Sequence, residues 1–218
     1  MAILFPGLAL APELYEIGFP NTHILDPWIH PWSDAPAALL ERATNTPTTV
    51  IGHSLGALVA LEWAIHRPEL VSHLLLLDPT FPQAHPNTKP HEAFFRVGSQ
   101  LAAVFSPVVG LALKPFVSQE VLTKRYRGRD NARFLFSELY HASRLESRVH
   151  HKLASQQLSS DIYVTILVGS GNADEKQFLG QQQHLATLLN ARLVNLWGEK
   201  HLFPLAHPEF VQPFISPA

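Results

Sequence analysis

One short stretch limits the possible folds more than any other. In Thr49-Val50-Ile51-Gly52-His53-Ser54-Leu55-Gly56 an apolar, β-branched run turns through Gly-x-Ser-x-Gly straight into an apolar helical pattern. A strand that reverses into a helix over a single residue holds that residue in a strained backbone conformation, and the positions two before and two after it must lack side chains. Gly52 and Gly56 meet that requirement. The turn exposes the Ser54 hydroxyl at the carboxyl end of the strand, and the next amide, Leu55 N–H, opens a helix N-terminus, where negative charge is stabilised. A helix start merely capped by Ser54 would leave the preceding strand and the paired glycines unexplained.

The rest of the chain alternates in the same manner. Ala2–Phe5, Thr22–Leu25, Thr48–Ile51, Ser72–Leu77, Ile162–Val168 and Arg192–Leu196 read as strands. Helical patterns lie between most of them: Ala37–Ala43 after a cap at Ser33 or Asp34, Leu55–His66 stopped by Pro68, and Glu175–Leu189 ending at Asn190. Such alternation predicts an α/β fold, a parallel sheet of about six strands flanked by helices. It breaks once, between Asp78 and Asp161, where Pro-rich sequence leads into helical patterns at Glu92–Phe105, Val108–Phe116, Ser118–Tyr126 and Asn131–Leu153. Residues 1–218 are therefore expected to form one domain with a helical cap inserted at about 81–157 over the edge of the sheet.

These motifs make the chain resemble the α/β-hydrolase family, in particular its small, cap-bearing esterases, thioesterases and C–C hydrolases. Gly52–Gly56 carries the resemblance most specifically, and Gly198-Glu199-Lys200-His201 followed by Pro208-Glu209-Phe210 carries it next. The resemblance implies an α/β-hydrolase fold that starts at the family's third strand. Phe5-Pro6-Gly7-Leu8 stands where the family has its His-Gly-x stretch, so Leu8 N–H is implied as a second oxyanion donor beside Leu55 N–H. Pro6 replaces the usual histidine there, a change that spares a backbone donor. Asp26 and Ser33 keep the spacing of another family stretch, but Ile29 and Pro31 occupy its glycine positions, so that loop is expected to take a different path. Trp28 and Trp32 beside it are candidates both for the pocket wall and for ordinary aromatic packing.

His201 follows the last strand on a loop at the carboxyl edge of the sheet, where a general base must sit to reach Ser54. Among 13 histidines only order and context single it out, since Ser, then acid, then His is the family's chain order. His53 is expected to point away from the nucleophile on its tight turn, and His85, His91 and His150-His151 form no metal-binding spacing. The acid has two candidates. Asp174 follows Gly169 with two residues more than the family's Gly-x-x-Asp pattern, which puts Asn172 at the usual place; it lies 27 residues before His201 and is preferred. Asp78 ends the strand Leu74–Leu77, 24 residues after Ser54, and is the alternative acid.

Composition narrows the ligand. Only 16% of residues are charged and Lys plus Arg (16) nearly balances Asp plus Glu (18), so no field of one sign exists to attract nucleic acid. The expected partner is a small molecule; the residues specify no oligomeric state. The absence of cysteine rules out a thiolate nucleophile or a thiolate metal site, and the expected chemistry needs neither metal nor organic cofactor. The start of the chain runs directly into a strand pattern without the features of a signal peptide, from which a cytoplasmic location is expected. The uncharged run Val97–Leu113 carries Ser99, Gln100, Ser106 and Pro107 and is expected to be buried or lid-like rather than a membrane span. Phe94, Phe95, Leu101, Phe105, Val108, Leu111 and Phe116 in the cap suggest a substrate with an apolar part, though most of them must also form the cap's own core. The resemblance implies acyl transfer from a small ester or thioester by a Ser54-His201-Asp triad. The alternatives are a lyase or C–C hydrolase using the same triad and a catalytically silent binding protein on this fold.

Overall fold

The computed structural model describes residues 1–29, 31–32, 44–85, 111–171 and 175–215. The helical patterns expected at Ala37–Ala43 and Glu92–Phe105, and most of the uncharged run Val97–Leu113, lie outside these residues. Six strands form one sheet: β1 (Ala2–Phe5), β2 (Thr22–Ile24), β3 (Thr48–His53), β4 (Val71–Leu77), β5 (Tyr163–Gly169) and β6 (Arg192–Leu196). They run in the order β2-β1-β3-β4-β5-β6, and every neighbouring pair is parallel. Each corresponds to an apolar run of the sequence, with ends shifted by two residues at most.

The period-two pleat divides those runs between two cores. Ile3, Phe5, Val50, Leu74, Leu76, Val164, Ile166 and Val168 face one cluster, while Ala2, Leu4, Ile51, Leu75, Leu77 and Leu167 face the other. Because both faces are covered, the central strands carry apolar side chains on successive residues, as buried parallel strands do. The first face is covered by α1 (Leu55–His66) and by residues of α4 (Glu175–Leu189). The second is covered by the segment after β1, with Leu10, Leu14, Tyr15 and Phe19, and by Phe203 and Val211 near the C-terminus.

Two described helices occupy the connection from β4 to β5: α2 (Gln119–Tyr126), whose first turn is capped by Ser118 Oγ accepting from Val121 N–H, and the 27-residue α3 (Arg129–Ser155). A parallel β4–β5 pair needs a long crossover, and α3 provides much of it. Its second half lies in the packed layer, since Leu145 and Val149 are buried in the same core as α1. Glu62, buried on α1, reinforces that seam by accepting from Arg148 Nε at 2.6 Å, Arg148 Nη2 at 2.9 Å and Lys152 Nζ at 2.6 Å. Burial pushes the Glu62 carboxyl up, but these cationic donors outweigh it and hold the group below the usual carboxylate range. Two short helices close the chain, α5 (Phe203–Ala206) and α6 (Gln212–Ile215). Among the described residues no helix is long and apolar enough to cross a membrane.

This division of α3 has a measurable consequence. Leu145→Ala should cost about 2–4 kcal/mol of stability in urea unfolding, as a deleted core side chain does. Leu139→Ala, at a position 58% exposed on the same helix, should stay within about 0.5 kcal/mol of wild type.

Candidate active site

The carboxyl ends of β1, β3, β4, β5 and β6 lie along one edge of the parallel sheet, and the loops that leave them carry Leu8, Ser54, Asp78, Gly171 and His201. At the end of β3, Ser54 has φ 54° and ψ −120°, the strained turn that the sequence requires. A Cβ on Gly52 would lie 2.5 Å from Ala57 Cα, and one on Gly56 would collide with the carbonyl oxygens of Phe5 and Pro6. The first turn of α1 is thus pressed against the end of β1, which brings the Pro6–Leu10 loop beside the serine. Leu8 N–H lies in that loop and Leu55 N–H at the start of α1. Among the described residues neither amide donates to a protein acceptor.

The strand register chooses the serine's neighbour. His53 is level with Leu77 in the β3–β4 pair, and Ser54 N–H donates to Leu77 O at 3.0 Å. Asp78 therefore emerges one strand away from Ser54 and at the same height. It adopts a left-handed conformation (φ 44°) and is fully buried. Its N–H donates to Leu167 O at 2.8 Å, and its Oδ1 accepts Gly169 N–H at 2.8 Å. Oδ2 lies 2.9 Å from His201 Nδ1, and His201 Nε2 lies 2.9 Å from Ser54 Oγ. A carboxylate can only accept, so Nδ1 carries the proton, and the bare Nε2 of the neutral ring faces the serine hydroxyl. The three side chains form one relay, able to draw a proton from Ser54 and to stabilise the imidazolium that results.

The sequence candidates separate accordingly. Ser54, His201 and Asp78 meet; Asp174, preferred on loop spacing, lies outside the described residues. Among the described residues the carboxylate on His201 is that of Asp78, and the reason is the β3–β4 register, which counting along the β5 loop could not reveal. Gly169 and Gly171 let the end of β5 approach the backbone at Glu199 closely, and Gly171 N–H donates to Glu199 O at 2.7 Å. Trp32 is buried edge-on against Phe5 at 5.5 Å and also lines a cavity of about 250 Å³ with Leu55, Glu138, His141 and Arg148. Trp28 packs against Phe134 and under the Arg125 guanidinium. Among the described residues no group of three or more His, Asp or Glu is placed to hold a metal ion.

Two contributors carry no motif. Tyr15 is fully buried behind the site, and His53, which does turn away from Ser54, is fully buried as well. His53 Nδ1 lies 2.6 Å from the Tyr15 hydroxyl, and its Nε2 lies 2.9 Å from the carbonyl oxygen of His201. That carbonyl can only accept, so Nε2 carries the ring proton and Nδ1 accepts from the phenol. Burial, with the nearby His201 ring as a lesser cause, pushes the His53 pKa down to about 3. Above about pH 6.5 the ring is neutral whether the chain is folded or not; below it the unfolded chain binds a proton that the folded one refuses. Stability should therefore fall on acidification from about pH 6.5 to 5, by about 1.4 kcal/mol per pH unit for this one group. Buried His73, also held below its ordinary value by desolvation, adds to the slope. Urea unfolding across this range should show the decline, and His53→Gln should make it shallower; a flat wild-type profile would contradict a buried neutral His53.

A stretch of 79 residues is 44% identical to the lipase LipV of Mycobacterium tuberculosis (strain ATCC 25618 / H37Rv), covering 32% of this chain and 30% of that one. The chain thus spans under a third of that curated relative. Solved structures match over nearly the whole chain at low identity. An α/β hydrolase fold protein from Burkholderia ambifaria has a TM-score of 0.68 at 18% identity, covering 100% of this chain and 90% of that chain. A crystal structure from work on carboxylesterases of Nitrososphaera gargenis has a TM-score of 0.66 at 13% identity, covering 98% and 87%. The thioesterase domain from the curacin biosynthetic pathway has a TM-score of 0.60 at 15% identity, covering 98% and 90%. The likeness of these structures is one of fold. The model of the alpha/beta hydrolase family matches residues 5–212, almost the whole chain, and with the parallel six-stranded sheet and the serine turn at its edge the protein belongs to that family.

Proposed function

We propose that this protein is a serine hydrolase that cleaves small, partly apolar esters or thioesters through an acyl-enzyme. The observation that carries this reading is the relay from Asp78 Oδ2 through His201 to Ser54 Oγ, with both links at 2.9 Å. In the proposed reaction His201 Nε2 takes the Ser54 proton as Oγ bonds to the substrate carbonyl carbon. The oxyanion formed is held by Leu8 N–H and Leu55 N–H, and the positive N-terminus of α1 adds to the field. On collapse of the intermediate His201 returns the proton to the departing alcohol or thiol. It then takes a proton from water as the water oxygen attacks the acyl carbon, and passes that proton to Ser54 Oγ as the second tetrahedral intermediate collapses to the acid and free Ser54. Asp78 holds the imidazole tautomer and balances the imidazolium charge in both halves. Its complete burial makes that charge effective, because little water intervenes to screen it. An apolar acyl or alkyl part agrees with the nonpolar residues between β4 and β5.

The test combines a fluorophosphonate probe with turnover of p-nitrophenyl esters of increasing chain length. Wild-type protein should label at Ser54, and Ser54→Ala should stay folded, escape labelling and lose about three to six orders of magnitude in turnover. Asp78→Asn should cut kcat by about four orders of magnitude through the wrong tautomer, whereas Asp174→Asn should remain near wild type. The reverse ranking of the two aspartates would reject Asp78 as the acid. Folded wild-type protein that neither labels nor turns over any ester would favour the silent binding protein.

A further inference from the structure

The loop that carries Leu8 is held from below by two buried phenols. Gly7 N–H donates to the Tyr15 hydroxyl at 3.3 Å, one residue before the proposed donor. Beyond it the Tyr126 hydroxyl donates to Ala9 O at 2.8 Å and accepts Ala11 N–H at 3.2 Å. Between these anchors the backbone makes a tight turn, with Leu10 N–H on Gly7 O at 3.1 Å and Ala9 in the left-handed region at φ 60°. A non-glycine residue keeps such a conformation only where its surroundings over-determine it. The phenols are rigid supports: Tyr15 and Tyr126 are buried, and desolvation pushes both hydroxyls above their ordinary range, so they stay neutral at physiological pH.

Tyr15 also reaches the base. It accepts the Gly7 amide and donates its single proton to His53 Nδ1, while His53 Nε2–H donates to the His201 carbonyl. A continuous run of buried hydrogen bonds thus joins the Leu8 loop, the residue before Ser54 and the backbone of the general base. Resting on the hydrolase reading above, the geometry points to Tyr15, with His53 and Tyr126, as positioning residues that set the Leu8 amide and the His201 loop at a fixed distance from Ser54. None of the three touches the reacting atoms. Their effect is to keep the second oxyanion donor aimed when charge develops on the substrate, and a donor of this kind loses most of its worth when displaced. Tyr126 belongs to α2, so the same arrangement ties the segment between β4 and β5 to the oxyanion loop. Arg125, the preceding residue, strengthens that tie through Glu13 at 2.9 Å and Asp26 at 2.7 Å.

The experiment uses the full chain, p-nitrophenyl butyrate as substrate and butylboronic acid as the tetrahedral analogue. Tyr15→Phe and Tyr126→Phe should each lower kcat about tenfold, a fraction of what losing an oxyanion donor outright costs, with KM within about twofold. The inhibition constant of the boronic acid should rise in parallel with the fall in kcat. His53→Gln, which keeps an acceptor for the phenol and a donor for His201 O, should recover most of the activity that His53→Ala loses. Leu185→Ala, a core change on α4, controls for general destabilisation and should leave kcat and the boronate constant unmoved. Amide exchange gives a readout independent of turnover: Gly7 N–H should exchange at least tenfold faster in Tyr15→Phe, and Ala11 N–H in Tyr126→Phe, beyond any change in global stability. Unchanged exchange at those amides overturns the inference, as does an active, labelled wild type whose variants keep their kcat. A wild type without labelling or turnover overturns the hydrolase reading itself and the oxyanion role with it.

Discussion

Between the first turn of α1 and the end of β1 there is no space for a side chain: a Cβ at Gly56 would run into the carbonyl oxygens of Phe5 and Pro6. That close approach is the constraint on which the edge of the sheet depends. It brings the Leu8 loop beside Ser54, and it requires the strained turn at Ser54, which would not persist if α1 could move away. The strain is supported by burial. α1 is buried from Leu55 to Ala64, so relaxing the turn would expose a helix with almost no polar face.

The same edge holds buried polar groups, and Asp78 and His53 have partners at both of their polar side-chain atoms. Asp78 gives one carboxylate oxygen to Gly169 N–H and the other to His201. His53 is satisfied at both ring nitrogens, by Tyr15 and by the His201 carbonyl. A buried polar group left without a partner costs about 1–3 kcal/mol, so each of these bonds also fixes where its loop can lie. Loops leaving four different strands are thereby held to one another, and the half-exposed His201 is held by buried groups at two points, its ring by Asp78 and its carbonyl by His53.

Much of this was legible in the chain. Apolar runs of strand length separated by helical patterns identify a covered parallel sheet, because both faces of such strands are apolar and the signal is local. Ser54 was legible because the elbow imposes glycine at fixed offsets, and His201 because of its place after the last strand. Loops and helix faces were harder. Asn131–Leu153 read as part of a cap, whereas Leu145 and Val149 lie in the core with α1, a placement that depends on which neighbour the helix meets.

The sequence by itself determined the sheet, the serine turn and the chain order of serine and histidine, since each rests on periodicity or on sterics within a few residues. Only the tertiary structure decided that Asp78 meets His201, because that choice follows from the β3–β4 register, in which His53 and Leu77 stand level, and joins residues 123 apart in the chain. It alone also joined Tyr15, His53 and Tyr126 to the loops around Ser54. Hydrogen bonds between residues as distant as Ala11 and Tyr126 form only when packing brings two segments together, and a phenol in a helix or a turn carries no local mark of the backbone it will hold.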